Sequence, residues 1–306
     1  MIIKNAADFI QQTASQNYPI KQAPTMKAAF MVSPVGFTLD TQTAQDNQYM
    51  QMEQAVDPTR ALVQQMNLAK RISDCGIPVS TFPGSPETPD AVFPNNAFAT
   101  AHNKRYIIGS MRYANRQKET QRKDIRVFFD DVLGYDKYEI EHDKAVAELT
   151  GVLVPDRGRA VGFVGMTERV DEAGVAALHE GFQLDLLFQF ELKPTEYHTN
   201  VVMACLAGEA CVVCPDSFVQ QQDADAIADF YKGRTLEISD AEKQAFIGNC
   251  ISITKEDVFF SQKALDTLSS QACAQLENWG FKLHGVDVSE LEKAGGSLRC
   301  MVGEIF

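Results

Sequence analysis

Three residues of types that together support nucleophilic catalysis stand far apart in this chain, at Glu148, His198 and Cys300. A cysteine is a strong nucleophile only as a thiolate, so its site must lower the thiol pKa or supply a base. A histidine can hold or donate a proton near neutral pH, and a carboxylate can fix its tautomer and orientation. Gly295 and Gly296 would let the backbone turn sharply just before the cysteine. The set predicts a cysteine-dependent enzyme.

Each of these residues has a structural interpretation when it is taken alone. A free cysteine is commonly buried in a protein core, a histidine often only hydrogen-bonds a turn, and a glutamate can end a solvated hairpin. The catalytic hypothesis depends on their standing at corresponding points of a repeat. Cys250 stands at another such point but lacks the preceding glycine pair, so we interpret it as structural.

Paired strand patterns joined by polar turns recur along the chain. They begin near residues 96, 150, 200 and 250, a period of about 50 residues, which indicates a repeat architecture. Helical patterns follow at 118–133, 168–180, 224–232 and 270–280, and further strands at 138–140, 184–190, 235–238 and 282–286.

A fifth unit begins at 298–306, where the sequence ends, and its remaining parts stand at the other terminus. These are strands at 27–32 and 78–82 and a helical stretch at 43–77 with a break at Pro58. We therefore predict five ββαβ units closed into a ring with pseudo-fivefold symmetry, an α/β fold in one domain spanning 1–306. Residues 1–25 form an N-terminal helical extension in this prediction, with Asn5 as a helix cap.

Composition excludes several classes of function. The formal net charge of −13 disfavours nucleic-acid binding, and the basic run at 112–126 is interrupted by acidic residues and is interpreted as a solvated face. No apolar stretch reaches the length of a membrane span, and the first residues do not resemble a secretory signal. We therefore expect a cytoplasmic protein that binds neither nucleic acid nor membrane.

The seven cysteines have irregular spacing, which argues against a disulfide framework. Cys211 and Cys214 form a CxxC pair within an apolar run typical of a buried strand. Residues three apart on a strand point to opposite faces, so we interpret both as core residues and expect no metal site.

Four ordered motifs carry a family resemblance. Val92-Phe-Pro-Asn-Asn96, the segment 148–157, Tyr197-His-Thr-Asn-Val201 and Gly295-Gly-Ser-Leu-Arg-Cys-Met301 resemble the amidinotransferase and arginine-deiminase superfamily, also called penteins. The most similar branch is that of the citrulline-utilisation hydrolases, and the residues Asp46-Asn47 resemble it too. The resemblance implies a five-bladed α/β-propeller, Cys300 as nucleophile, His198 as general acid/base, Glu148 as its carboxylate partner, and no metal or organic cofactor.

The chain departs from this family at the expected substrate contacts. Arginine deiminases place carboxylates where this chain has Asn96 and Asn200, and an amide cannot neutralise a guanidinium. Asp90 is a candidate for the missing charge. Arg157 and Arg299 are candidates for binding a substrate carboxylate, since arginine suits bidentate recognition of that group.

The resemblance implies a hydrolase that modifies a guanidino or ureido group. Its substrate would be arginine, citrulline or an arginine derivative, and it would form a covalent thiouronium-type intermediate and release ammonia or an amine. Two alternatives remain open at this point, namely an amidinotransferase that passes the amidino group to an amine, and a non-catalytic propeller that binds a partner. The expected ligand is a small molecule, and a homodimer is an assembly open to the protein.

Overall fold

The computed structural model describes all 306 residues. It contains sixteen strands: β1 Ile2–Ile3, β2 Ala28–Val32, β3 Val79–Phe82, β4 Phe98–Ala101, β5 Arg105–Ile108, β6 Asp136–Glu139, β7 Leu153–Asp156, β8 Val161–Met166, β9 Leu186–Glu191, β10 Met203–Leu206, β11 Ala210–Val213, β12 Thr235–Glu237, β13 Ile251–Ser252, β14 Asp257–Ser261, β15 Lys282–Val286 and β16 Gly303–Ile305.

The strands form five small sheets of the same design. In each, the first strand pairs antiparallel with the second, and the second pairs parallel with the third. The sheets are β16-β2-β3, β4-β5-β6, β7-β8-β9, β10-β11-β12 and β13-β14-β15. A parallel pair needs a crossover connection, and in every unit that connection contains helix, which produces the predicted ββαβ repeat. The prediction of five blades is confirmed.

The two ends of the chain complete one blade together. Strand β16 lies antiparallel to β2, with Gly303 opposite Phe30 and Ile305 opposite Ala28. The Tyr135 hydroxyl donates to the carbonyl of Phe306 at 2.6 Å, which ties the last residue to the neighbouring blade.

The structure contains twelve α-helices. The α-helices are α1 Ala6–Ser15, α2 Pro58–Asp74, α3 Ala114–Gln117, α4 Lys123–Val127, α5 Leu149–Val152, α6 Glu172–Gly181, α7 Thr199–Val202, α8 Gln221–Phe230, α9 Asp240–Gln244, α10 Gln262–Thr267, α11 Ser270–Asn278 and α12 Ser289–Glu292.

Two helical predictions need correction. The stretch predicted at 43–77 contains only a short 3-10 turn at Thr43–Gln45 and helix α2. Pro58 starts this helix rather than breaking it, because Asp57 caps it by accepting hydrogen bonds from two backbone amides. The helix predicted at 118–133 is divided into a 3-10 turn, α4 and a π-helical turn at Phe128–Val132.

The N-terminal extension also contributes a strand. Asn5 caps α1, as predicted, but β1 before it pairs in parallel with β9 and widens the third blade to four strands. Phe9 of α1 is fully buried and stacks on Phe188 with ring centroids 4.5 Å apart. A two-residue strand has no sequence period, so only its tertiary pairing defines it.

The predicted strand starts at 150, 200 and 298 were wrong by several residues, because a helical turn precedes each inner strand. The five turns, which we call the axial turns, are Pro94–Asn96, Leu149–Val152, Thr199–Val202, Ile247–Asn249 and Leu298–Met301. Their valines and leucines are typical of strands, but packing around the axis overrides this weak propensity.

Side chains of the axial turns bind the backbone of neighbouring turns. The Thr150 hydroxyl donates to the Asn95 carbonyl at 3.0 Å, and the Asn200 side-chain amide donates to the Thr150 carbonyl at 2.9 Å. Asn249 donates to the Asn200 carbonyl at 2.8 Å and accepts from the Arg299 amide at 3.1 Å. These bonds fix the relative positions of residues that are about fifty positions apart in the chain.

The CxxC cysteines lie in the core, as expected. Cys211 and Cys214 are fully buried within the largest hydrophobic cluster, and Cys250 is buried there too. No helix has the length and apolar character to cross a membrane.

Candidate active site

Cys300 lies on the last axial turn and is 1% exposed. Gly295 before it has φ +74°, in the left-handed region that favours glycine, and a Cβ at this position would stand 2.5 Å from Asn47. A Cβ on Gly296 would stand 3.1 Å from the Phe93 ring. The glycine pair therefore permits close approach of the loops that cover Cys300.

Two amide groups point at the sulfur. The Nδ2 of Asn249 lies 3.3 Å from the Cys300 Sγ, and the Nδ2 of Asn200 lies 3.5 Å from it. N–H donors favour a negatively charged acceptor over a neutral one, so this pair can stabilise a thiolate. Asn249 was not predicted as a site residue, although it stands at the repeat point beside Cys250.

His198 and Glu148 form a buried pair. The His198 Nε2 lies 2.9 Å from the Glu148 Oε2, and both side chains are at most 1% exposed. The other ring nitrogen, Nδ1, has no hydrogen-bond partner although it is buried. Burial lowers the pKa of His198, and Glu148 opposes this only in part. The ring is therefore held at one nitrogen and free to exchange a proton at the other.

Two arginines keep Glu148 ionised. Burial alone would raise its pKa, but Arg169, the hydrogen bond from His198 and Arg116 together hold that pKa well below its usual range. The Arg169 Nη1 lies 3.0 Å from Glu148 Oε2, and the Arg116 Nη1 lies 3.6 Å from the same oxygen. The backbone amide of Arg112 adds a bond of 3.2 Å.

Both arginines have further carboxylate partners. Arg116 makes a bidentate pair with Glu119, with distances of 3.0 and 2.8 Å, and Arg169 forms a bidentate pair with Asp46. The interpretation of the basic run 112–126 as a solvated face was wrong for Arg116, which is 3% exposed. Glu119, at i+3 from Arg116, indicated a local ion pair, but the burial of that pair depends on contact with Glu148 in another blade.

A cavity lies among these groups. It is lined by Thr43, Asn47, Asp90, Phe93, Asn96, Arg116, Arg169, Tyr197, His198, Ala294, Gly296 and Cys300. We call it the front cavity. Four predicted residues, Cys300, His198, Asp90 and Asn96, thus come together from three blades and the loop before the first axial turn.

Asp90 and Asn96 present unsatisfied acceptors in this region. The Oδ1 atoms of both are buried without a hydrogen-bond partner. Burial raises the pKa of Asp90 to about 6, although Arg116 acts in the opposite direction. Gly151 lies between Asn96 and His198, since a Cβ there would stand 2.6 Å from Asn96 Oδ1 and 2.7 Å from the His198 ring.

The structure does not bring Arg157 and Arg299 into the front cavity. Both line a second cavity together with the inner strands and Glu304; we call it the rear cavity. The Arg299 Nη2 binds Glu304 at 2.8 Å. Asn200 lines the rear cavity while its amide reaches Cys300, so it belongs to the wall between the two. The predicted contact of these arginines with a substrate carboxylate is not supported by their placement.

Comparison with known sequences identifies the family. A profile described as "N,N dimethylarginine dimethylhydrolase, eukaryotic" matches residues 33–306. A Caenorhabditis elegans protein, "Uncharacterized protein ZK1307.1", is 23% identical over 289 residues, which cover 92% of this chain and 94% of that protein.

Solved structures share the fold. The N-terminal domain of ArgZ, an arginine dihydrolase from the ornithine-ammonia cycle in cyanobacteria, has a TM-score of 0.78 at 18% identity and covers 91% of this chain and 97% of that chain. AgrE in complex with L-arginine has a TM-score of 0.79 at 20% identity, covering 91% of this chain and 40% of that longer chain. A dimethylarginine dimethylaminohydrolase adduct has a TM-score of 0.68 at 18% identity, with 92% and 100% covered.

The profile match covers most of the chain, and the five-bladed α/β-propeller agrees with it. The chain belongs to the eukaryotic N,N-dimethylarginine dimethylhydrolase family of pentein enzymes, and it is a hydrolase of the amidinohydrolase type that acts on guanidino groups.

Proposed function

We propose that the protein hydrolyses the guanidino group of an N-methylated arginine, or of arginine itself, through a covalent bond to Cys300. The observation that carries this proposal is the arrangement around one cavity of a cysteine, a histidine held by a buried carboxylate, and a second carboxylate without a full set of partners. The family description supports the methylated substrate. The arginine dihydrolase and the arginine complex among the structural neighbours support unmodified arginine.

Asp90 and Asn96 favour a guanidino over a ureido substrate. A guanidinium offers only N–H donors and carries a positive charge, whereas a ureido group is neutral and has a carbonyl acceptor of its own. The two buried oxygens without partners, Asp90 Oδ1 and Asn96 Oδ1, can accept from such donors. Ionised Asp90 would supply the negative charge that neither Asn96 nor Asn200 can supply.

In the first step, the Cys300 thiolate attacks the planar guanidinium carbon and forms a C–S bond. The amides of Asn249 and Asn200 stabilise the thiolate before attack. His198, which takes up the thiol proton, then passes it from Nδ1 to the departing nitrogen, and the C–N bond breaks to release the amine. Glu148 compensates the charge of the protonated ring through Nε2.

In the second step, water replaces the amine. His198 accepts a proton from this water, and the oxygen attacks the carbon of the cationic thiouronium intermediate. The C–S bond then breaks, the hydroxyl proton of the collapsing intermediate passes to solvent, and the product leaves as a neutral ureido group. His198 returns the proton that it took from water to the Cys300 thiolate, which restores the starting pair. No other reactant is required for this sequence.

One experiment distinguishes the proposed hydrolase from the two alternatives, an amidinotransferase and a non-catalytic binding protein. The protein is incubated with asymmetric dimethylarginine, monomethylarginine, arginine, agmatine and citrulline, and released ammonia, methylamine or dimethylamine is measured. We expect amine release from at least one guanidino compound, no turnover of citrulline, and a loss of at least about 10⁴-fold in Cys300→Ala. Release that requires an added amine acceptor would instead indicate a transferase.

A control cysteine separates catalysis from general damage. Cys273 is partly buried on helix α11 and packs against the largest hydrophobic cluster rather than lining the front cavity, so Cys273→Ala should retain activity. Chloroacetamidine, which resembles a guanidinium, should alkylate Cys300 and leave buried Cys250 intact. Absence of turnover and of Cys300 labelling would contradict the proposal and favour a binding protein.

A further inference from the structure

The rear cavity contains a buried cation that its surroundings neutralise only in part. Arg157 is 6% exposed and Arg299 is 9% exposed, and Glu304 is the carboxylate that both face. Arg299 forms a hydrogen-bonded pair with Glu304 at 2.8 Å, whereas the Arg157 Nη2 lies 3.5 Å from it. These three side chains carry a net charge of +1 when ionised. Buried charges are usually paired, so this surplus calls for an anion.

Arg157 has one free edge of the shape that binds oxyanions. Its Nη1 donates to the Thr100 carbonyl at 2.7 Å, while Nε and Nη2 have no hydrogen-bond partner. The guanidinium also packs against two aromatic rings, with its central carbon 4.4 Å from the ring centroid of Phe306 and 4.9 Å from that of Phe182. The Nε and Nη2 hydrogens lie parallel on one side of the group, which matches two oxygens of a carboxylate or phosphate.

A second unpartnered donor lines the same cavity. The Ser252 hydroxyl, on β13, is buried without a hydrogen-bond partner, and the residue is 5% exposed. Burial lowers the pKa of Arg157 to about 10, with Glu304 opposing this in part. The destabilised guanidinium and the unpaired hydroxyl are thus both groups that a bound anion would satisfy.

The N-terminal segment helps to hold Arg157 where it is. Gln22 donates from Nε2 to the Arg157 carbonyl at 2.6 Å, the Lys21 amide donates to the Gly158 carbonyl at 2.9 Å, and Pro24 lines the cavity. This segment precedes residues 33–306, which match the family profile. The rear cavity is therefore completed by a part of the chain that lies outside the family match.

We propose that the rear cavity is a binding site for a small oxyanion, a carboxylate or inorganic phosphate, held by the Nε/Nη2 edge of Arg157 and by Ser252. The site is distinct from the front cavity, which Cys300 and His198 line. Asn200 lies in the wall between the two, so an occupied rear site adjoins the group that donates to the Cys300 sulfur.

Isothermal titration calorimetry tests this site on the full chain. The Cys300→Ala variant, in a buffer without oxyanions and at constant ionic strength, is titrated with sodium phosphate, sodium acetate and sodium chloride. We expect one saturable site per chain for phosphate, acetate or both, and much weaker binding of chloride, which cannot use a two-point fork. The ratio of the two oxyanion affinities distinguishes the phosphate source from the carboxylate source.

Substitutions assign the site. Arg157→Lys keeps the charge but removes the fork, so oxyanion affinity should fall roughly tenfold. Arg126→Lys is the matched control, because Arg126 forms a bidentate pair with Glu139 near the surface, and it should not change binding. Ser252→Ala should weaken binding by about fivefold.

Glu304→Gln gives an effect of opposite sign. It removes the competing negative charge, so oxyanion affinity should rise severalfold, which loss of structure would not produce. This variant keeps the test valid if Arg157→Lys fails to fold. No saturable binding in any arm, equal binding of chloride, or unchanged affinity in Arg157→Lys and Glu304→Gln would overturn the proposal and indicate a cavity that holds water.

Discussion

The front and rear cavities are both lined by buried arginines, but these arginines differ in how completely carboxylates pair with them. In the front cavity, Arg116 and Arg169 are shared among Glu119, Asp46 and Glu148, and every guanidinium has a bidentate carboxylate partner. In the rear cavity, Arg157 has only a distant ion pair with Glu304. The front arginines therefore keep the Glu148 carboxylate ionised. Arg157 in the rear cavity instead has two N–H groups without hydrogen-bond partners.

In the front cavity, the positive charges of Arg116 and Arg169 stabilise the ionised form of Glu148. Because that carboxylate stays ionised, His198 is oriented through Nε2 and its Nδ1 faces no competing partner. The arginines are therefore positioning residues for the histidine. They are unsuitable as partners for a substrate carboxylate, since their hydrogen bonds are already made within the protein.

The largest expected effect comes from neutralising the front carboxylate. Glu148→Gln keeps the shape of the side chain but leaves Arg169, Arg116 and a protonated His198 without compensation. We expect kcat to fall by about 10³- to 10⁴-fold and the free energy of unfolding to fall by about 3 kcal/mol. Steady-state kinetics and urea denaturation measure the two effects.

Glu304→Gln is the matched substitution in the rear cavity. We expect its loss of kcat to be less than about tenfold, since Glu304 touches neither Cys300 nor His198 and acts on the site only through the wall. Equal losses of kcat in the two variants would break the distinction drawn here between the cavities.

An intermediate effect is expected at the amide groups that contact the Cys300 sulfur. Asn249→Ala removes the nearer amide donor to the Cys300 sulfur, so the rate of Cys300 alkylation by chloroacetamidine at neutral pH should fall by about 10- to 100-fold. Asn95→Ala is the control, because Asn95 bonds Thr150 on the same ring of turns without touching the sulfur. If both variants slow alkylation equally, the role of Asn249 is structural only.

A moderate effect, of about tenfold, is expected in the pH dependence of ligand binding at Asp90. With a pKa of about 6, Asp90 is mostly protonated at pH 5 and mostly ionised at pH 7. Affinity of the Cys300→Ala variant for a guanidinium ligand should therefore rise about tenfold between these values. Asp90→Asn should bind more weakly at pH 7 and show little change with pH; an unchanged profile would remove Asp90 from the substrate site.

Asp90 should also affect the free energy of unfolding, but this contribution should fall with rising pH whereas ligand affinity should rise. Its folded pKa lies above the value of about 4 in an unfolded chain, so the folded state binds the proton more tightly. The contribution of Asp90 to the free energy of unfolding of the ligand-free protein should fall as pH rises from about 4 to 6. Urea denaturation of the parent chain and of Asp90→Asn across this window measures the difference.

The repeat was predictable because its parts are local. Apolar runs separated by polar turns predict the hairpin of each unit. The period of the repeat places Glu148, His198 and Cys300 at equivalent positions of different units. The structure places His198 against Glu148 and places both His198 and Cys300 at the front cavity. The glycine pair before Cys300 could also be identified from the sequence, and in the structure it accommodates the close approach of Asn47 and Phe93.

The arginines were not predictable in the same way. Arg157 and Arg299 lie within the family motifs, and arginine suits carboxylate recognition. The axial turns, however, decide towards which end of the propeller axis such a residue points. Those turns are helical where the sequence has strand-forming valines, for example Val201 and Val202, and this changes the direction of every side chain that follows. Arg116 was misjudged for a related reason, since its partner Glu148 belongs to another blade.

The sequence by itself determined the blades, the closure of the first blade by both termini, and the choice of Glu148, His198 and Cys300 as the proposed catalytic set, because hydrophobic period and residue chemistry are encoded locally. Only the tertiary structure decided that Asn249 reaches the sulfur, that Arg116 and Arg169 serve Glu148, and that Arg157 lies in a separate cavity. These facts depend on side chains about fifty or more residues apart that meet at one axis, and no local pattern fixes the angle at which the blades meet there.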